Sequence, residues 1–333
     1  MTELGVLAQG RANRALRAAQ ARRARRVRRA RNCLLGLMVG LLALLAFMTS
    51  VATSPHFQPV RSARRAVAQP PAGSGYTLTP ASRQLRFKPK LALRSGVLFD
   101  VRHGRVLWQR APQEVLPIAS LTKMMTALVV VAHARPSAQV RITRAAVNYS
   151  GSGVGVLPPG KRVSLMTLLY GLMLPSGNDA AIALAQHVGG SQRRFVAMMN
   201  ARAREMHLAC THFSSPSGIV DQGNHSCAVD LAVIAHAVLE QPLLARIVAS
   251  RSAVMPLPVK GGKVYLYNNN PLLILRYPGA DGVKTGYTVA AGRCLVAAAR
   301  RGRKWLAVVL LHSDDPPDQA QELLNAGFST RGA

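Results

Sequence analysis

Acidic residues are scarce in this chain: 13 Asp and Glu stand against 43 Lys and Arg among 333 residues. The imbalance is uneven. Residues 1–32 hold 10 arginines and one acid, Glu3, for a charge of +9. Residues 53–94 hold eight basic residues and no acid, and residues 95–333 carry +13. Aromatic residues make up only 5% of the chain, and none lies among the arginines of residues 1–32. Base stacking needs such interleaved aromatics, so no nucleic-acid partner is expected. Attraction of the arm to anionic lipid headgroups is the better reading. His207 and His212 lack the neighbours of a zinc site and read as surface or turn residues. No internal repeat is present. Of four cysteines, Cys33 opens an apolar run and Cys294 sits in a core-like strand, buried and inert. Cys210 and Cys227 read either as free thiols or as a disulfide, since their geometry is open at this level.

Charge is missing altogether from residues 33–52, Cys-Leu-Leu-Gly-Leu-Met-Val-Gly-Leu-Leu-Ala-Leu-Leu-Ala-Phe-Met-Thr-Ser-Val-Ala. Twenty helical residues span about 30 Å, the hydrocarbon thickness of a bilayer. The arginine block precedes the run, so residues 1–32 are expected in the cytoplasm as a basic arm and the rest outside it. Ser50-Val51-Ala52 also fits a signal-peptidase site, which makes secretion after cleavage the competing reading. The apolar run is long for a signal and its basic flank longer still, which favours a retained single-pass anchor. Residues 53–90 are dominated by Pro, Ser, Ala, Arg and Gln with no sustained period, and read as a disordered linker.

The folded domain is expected over 91–328. Gly96–Val101 and Arg105–Trp108 read as strands around a turn at His103-Gly104. A largely helical region follows, with helices over 165–174, from about 178 to 186, over 195–207 and over 228–239. Strands return at 282–288, 293–299 and 305–312, and a helix over 318–326 closes the domain. Strands at both ends with helices between predict one antiparallel sheet, an α/β fold with a helical insert.

Three polar clusters stand out in this frame. In Ala119-Ser120-Leu-Thr-Lys123-Met-Met-Thr126, apolar residues recur at helical spacing, which places Ser120 and Lys123 on one face. A serine hydroxyl needs an adjacent base to act as a nucleophile. A lysine is that base only when neutral, and its reference pKa leaves under about 0.1% neutral at pH 7. Burial and a second cation can correct this. A like charge at ~4 Å and an effective dielectric of ~20 is worth ~4 kcal/mol, or ~3 pKa units. The bland alternative is a chance motif with serine as a helix N-cap. The second cluster, Ser176-Gly-Asn178-Asp-Ala-Ala181, follows a hydrophobic helix. It reads either as a helix stop and cap or as a hydroxyl and carboxamide at a cleft edge. The third, Asp281-Gly-Val-Lys284-Thr285-Gly286-Tyr-Thr288, supplies the second cation in Lys284. Gly286 would let backbone approach closely; the alternative is an ordinary exposed strand end.

Ser-x-x-Lys, Ser-x-Asn and Lys-Thr-Gly in that order form the penicillin-binding set. With Phe213-Ser-Ser-Pro-Ser-Gly218, Asn268-Asn-Asn270 and Tyr277-Pro-Gly279 in support, residues 91–328 resemble the serine-type D-alanyl-D-alanine carboxypeptidases. These are the low-molecular-mass penicillin-binding proteins of the peptidase S11 family. The resemblance implies a β-lactamase/transpeptidase-like fold, Ser120 as acylated nucleophile and Lys123 as its base. It implies Ser176 as proton relay, Asn178 as substrate clamp, and Lys284, Thr285 and Gly286 as substrate-binding, with Thr285 near the terminal carboxylate. The oxyanion hole would combine the N–H of Ser120 with that of Tyr287 or Thr288. Implied partners are the peptidoglycan pentapeptide and β-lactam antibiotics; no cofactor or metal is implied. Many relatives place an arginine after the last core strand. Here His312-Ser-Asp-Asp-Pro-Pro-Asp-Gln-Ala320 is acidic and has none, which opens endopeptidase activity as an alternative. Many relatives also carry a second β-domain and a C-terminal anchor; neither follows the domain here, which fits N-terminal anchoring. A β-lactamase is a further alternative, although no Glu-x-x-Leu-Asn element is present. A non-catalytic cell-wall-binding protein is the alternative from another class.

Overall fold

A computed structural model of the chain describes residues 76–81, 85 and 91–330. The expected arm and membrane span, residues 1–52, lie outside the described residues. Among the described residues no single helix is long and apolar enough to cross a membrane.

The central sheet has six strands: Thr79–Pro80 (β1), Leu93–Asp100 (β2), Arg105–Arg110 (β3), Ala280–Thr288 (β4), Gly292–Arg301 (β5) and Lys304–Ser313 (β6). Their spatial order is β1-β3-β2-β6-β5-β4. The two ends of the chain therefore meet at β2 and β6, with Val309 opposite Val97. Most pairs are antiparallel as expected. The exception is β1, which adds to β3 in parallel. That strand lies inside the stretch expected to be disordered linker. The Tyr76 ring stacks on His236 with centroids 3.5 Å apart, and the Tyr76 hydroxyl donates to the Val101 carbonyl at 3.0 Å. A short segment can thus order without a core of its own, because an open sheet edge supplies its hydrogen bonds and the main core receives Leu78.

Both faces of the sheet are covered, which is why its inner strands read as nearly continuous apolar runs. Val97, Phe99, Val296, Ala298, Val309 and Leu311 face the helical insert. Leu98, Leu295, Leu306 and Val308 face Leu323 and Leu324 of the closing helix. The insert contains Lys123–His133 (α1), Leu165–Met173 (α2), Asn178–Gly189 (α3), Gln192–Glu205 (α4), Ala228–Glu240 (α5) and Pro242–Ala249 (α6), and Pro316–Ser329 (α7) ends the domain. Helix α6 and the hairpin Ser252–Pro256/Lys263–Tyr267 were not expected. One strand of the hairpin alternates half-buried and exposed residues and the other buried and exposed ones, but Pro and Gly in its turn mask the period. Caps explain the helix boundaries: the Ser164 hydroxyl accepts from Thr167 N–H ahead of α2, and Gly190 ends α3 at φ 71°.

Candidate active site

Ser120 lies neither at an N-cap nor in an α-helix. It sits in a 3₁₀ turn, Ala119–Thr122, that leads into α1. Ala119 is left-handed at φ 47°, a conformation that costs an L-residue roughly 1 kcal/mol or more. The surroundings hold it there. Gly218, at φ 76°, packs so close that a Cβ would lie 2.0 Å from the Ala119 carbonyl oxygen. Gly286 of β4 closes the other side, where a Cβ would lie 3.2 Å from Ser120 N. Glycine at these two positions is what lets strand and loop converge on the serine.

Lys123 begins α1, and its side chain is fully buried. Its Nζ lies 2.8 Å from Ser120 Oγ, 2.7 Å from Asn178 Oδ1 and 2.7 Å from the Ser217 carbonyl oxygen. The Asn178 amide is oriented by its own Nδ2, which donates to the Ser150 carbonyl at 2.6 Å. Asn178 Oδ1 and Ser217 O can only accept. A neutral amine has two hydrogens and one lone pair. The two hydrogens fit these two acceptors, and the lone pair is then directed at the Ser120 hydroxyl.

The electrostatics favour that neutral form. Burial pulls the Lys123 pKa well below its ordinary value, the charge of Lys284 pulls it further, and Asp179 opposes both. The second cation required on sequence grounds is present, but desolvation is the larger effect. Lys284 is itself buried, and burial alone lowers its pKa to about 7. Its Nζ donates to the Thr285 carbonyl at 3.0 Å.

The loop between α2 and α3 supplies the second cluster. Ser176 is left-handed at φ 66°. Its buried Oγ has no partner among the described residues, an unmet group that invites a ligand. Asn178 opens α3 with Gly177 as a cap that has no side chain. Asp179 accepts from Val154 N–H at 2.9 Å and Gly155 N–H at 3.0 Å, clasping the loop that carries Ser150. The structure thus joins Ser120, Lys123 and Asn178 directly, packs Gly286 against the serine turn and sets Lys284 within electrostatic reach. Thr285 lies beside Lys284 on β4, half-buried.

The carbonyls of Ser217 and Ser150 and the carboxylate of Asp179 had no assigned role in the sequence. Backbone acceptors leave no residue-type signal. The only hint was the Phe213–Gly218 stretch, whose anchors are now visible: Thr126 Oγ1 donates to the Pro216 carbonyl at 2.6 Å. Cys210 and Cys227 form a disulfide, and Cys294 is free and buried.

The mixed sheet flanked by helices resembles the fold of solved D,D-peptidases. Residues 83–315 match the peptidase S11 family profile, D-alanyl-D-alanine carboxypeptidase. The chain is 33% identical over 244 residues to the D-alanyl-D-alanine carboxypeptidase DacF of Bacillus subtilis, covering 71% of this chain and 62% of that one. It is 38% identical over 241 residues to a D-alanyl-D-alanine carboxypeptidase of Mycobacterium tuberculosis, covering 70% and 81%. Among solved structures, a Streptomyces D,D-transpeptidase matches with TM-score 0.69 and 34% identity, covering 73% of this chain and 100% of that one. The chain belongs to the peptidase S11 family. It spans 62% and 64% of the Bacillus subtilis and Escherichia coli relatives it matches.

Proposed function

We propose that this protein is a penicillin-sensitive serine D-alanyl-D-alanine carboxypeptidase with a β-lactamase/transpeptidase-like fold, acting on peptidoglycan stem peptides. The observation that carries the reading is the Lys123 amine. It is buried, 2.8 Å from Ser120 Oγ, and its hydrogens have two acceptor-only partners.

Lys123 takes the Ser120 proton as Oγ attacks the carbonyl carbon of the D-Ala-D-Ala bond. The oxyanion is held by the N–H groups of Ser120 and Tyr287. Of the two candidate donors on β4, Tyr287 is favoured because Lys284 donates to the Thr285 carbonyl. That oxygen is therefore on the open edge, and strand alternation turns the Tyr287 N–H the same way. Each such donor contributes about 3–4 kcal/mol. The C–N bond breaks, Ser176 relays a proton from Lys123 to the leaving D-Ala amine, and an ester to Ser120 remains. Water, deprotonated by the same lysine, releases the shortened peptide. Asn178 clamps the substrate amide and Thr285 the terminal carboxylate.

The placement is extracytoplasmic, behind a membrane anchor at residues 33–52. The Cys210–Cys227 disulfide supports an oxidising compartment. Product analysis on a pentapeptide and on a cross-linked dimer tests the reading. Release of free D-Ala from the pentapeptide is expected; cleavage of the dimer alone would make the protein an endopeptidase. Recovery of the mature protein outside the cell with Thr53 as its first residue would replace the anchor by a cleaved signal.

A further inference from the structure

Neither buried lysine of the cleft offers a fixed positive charge to the substrate's terminal carboxylate. Lys123 is committed to Ser120, Asn178 and Ser217. Lys284 is fully buried, bonded to the Thr285 carbonyl and drawn towards neutrality. The segment after β6 that faces this end of the sheet is acidic, with Asp314 and Asp315.

One arginine lies at the right place. Arg293 is the second residue of β5 and stands directly opposite Tyr287 of β4. Opposite residues share a sheet face, and Thr285, two residues back on β4, is its diagonal neighbour. Diagonal positions are about 7–8 Å apart, within the span of an arginine side chain. Arg293 is exposed, so its charge is open to a ligand. Nη1 donates to the Asp314 backbone carbonyl at 2.8 Å, which orients the guanidinium and leaves Nη2 and Nε without a partner among the described residues. Among the described residues its charge has no ion-pair partner. His312 also lies at this end, its ring covering Gly292.

We propose that Arg293 supplies the fixed positive charge that holds the terminal carboxylate of the substrate, or the equivalent carboxylate of a penicillin, beside Thr285. The inference rests on the reading of this cleft as a D,D-carboxypeptidase site. It assigns the specificity for a free C-terminus to β5, the strand next to the edge, in place of the segment after β6. A guanidinium is suited to this: it stays charged at every working pH and offers paired donors to a carboxylate.

The test compares acylation of the full-length protein, in detergent, by benzylpenicillin and by its methyl ester, which lacks the charge. The wild type should prefer the free acid. Arg293→Gln should cut the free-acid rate by about 10- to 100-fold, the range of one hydrogen bond to a charged group. The ester rate should stay put, so that the preference disappears. Arg293→Lys should restore part of it, and His312→Gln should leave it intact. Equal slowing of acid and ester by Arg293→Gln, an unchanged ratio, or loss of the preference in His312→Gln would each overturn the assignment. If the wild type forms no Ser120 adduct with either compound, the reading of the cleft itself fails and this inference falls with it. An acylated wild type with an unchanged Arg293→Gln ratio defeats the arginine alone.

Discussion

The Nζ of Lys123 lies 2.7 Å from the carbonyl oxygen of Ser217, a residue 94 positions further along the chain. This contact, with Asn178 on the other side, fixes where the lysine's hydrogens go and hence where its lone pair points. The neighbouring Gly218 then presses on Ala119, so one loop positions both the lysine and the serine turn.

Replacing Ser120 by Ala should abolish covalent labelling by penicillin and leave the fold intact, since one oxygen is lost from a turn that backbone contacts define. Mass spectrometry of the labelled peptides is the check; an adduct on any other serine removes Ser120 from its role.

The charge of Lys284 lowers the pKa of Lys123, so Lys284→Gln should raise it. Acylation at and below pH 7 should slow, and part of the loss should return as the pH rises and Lys123 deprotonates. The effect is greatest below about pH 7, where Lys284 is still charged in the wild type. Lys123→Gln should be nearly inactive throughout, because no base remains. Rates with a chromogenic cephalosporin from about pH 6 to 10 give both profiles. Parallel profiles for Lys284→Gln and wild type would confine Lys284 to substrate binding.

The same burial has a cost in stability. Lys284 titrates near about 7 when folded, against an ordinary 10.5. Between those values the unfolded chain binds a proton that the folded chain does not, so stability rises with pH across that window. Below it the penalty is complete, at an upper limit of about 4–5 kcal/mol for about 1.4 kcal/mol per pKa unit. Lys284→Met should therefore raise the urea midpoint at pH 6 and flatten its increase towards pH 10. A midpoint that falls at pH 6 would contradict this.

Gly218→Ala should distort the serine turn, because the new Cβ meets backbone at 2.0 Å as well as a strained φ. We expect a loss of about 1–3 kcal/mol in stability and at least a tenfold slower acylation. Gly160→Ala is the control: its φ is also positive but nothing lies within 4 Å, so it should lose some stability and keep its acylation rate. Thermal melts and labelling kinetics on the two variants separate strain from displacement of the site.

The disulfide closes a loop of 17 residues, worth about 3 kcal/mol in the loop-entropy account. Changing both cysteines to serine should lower the melting temperature by several degrees while penicillin labelling persists, since the bridge lies outside the Ser120–Lys123–Asn178 network. Loss of labelling at temperatures where the variant is still folded would tie the bridge to the site.

The sequence by itself determined five of the six sheet strands, the main helices and the residue types gathered at the candidate site. Apolar runs such as Leu306–Leu311 are buried on both faces and show it in their composition, and Ser120 and Lys123 are close because they are neighbours along the chain. The tertiary structure decided what depends on distant backbone. The carbonyls of Ser217 and Ser150 carry no residue-type signature, yet they orient Lys123 and Asn178. Tyr76–Pro80, too short to show a sustained period, becomes ordered because the edge of β3, the ring of His236 and the core beside Leu78 are there to receive it. The 3₁₀ turn at Ser120 and its left-handed Ala119 are likewise imposed from outside, by Gly218 and Gly286. Local periodicity records which face of an element is buried, but not which remote atom its polar groups will meet.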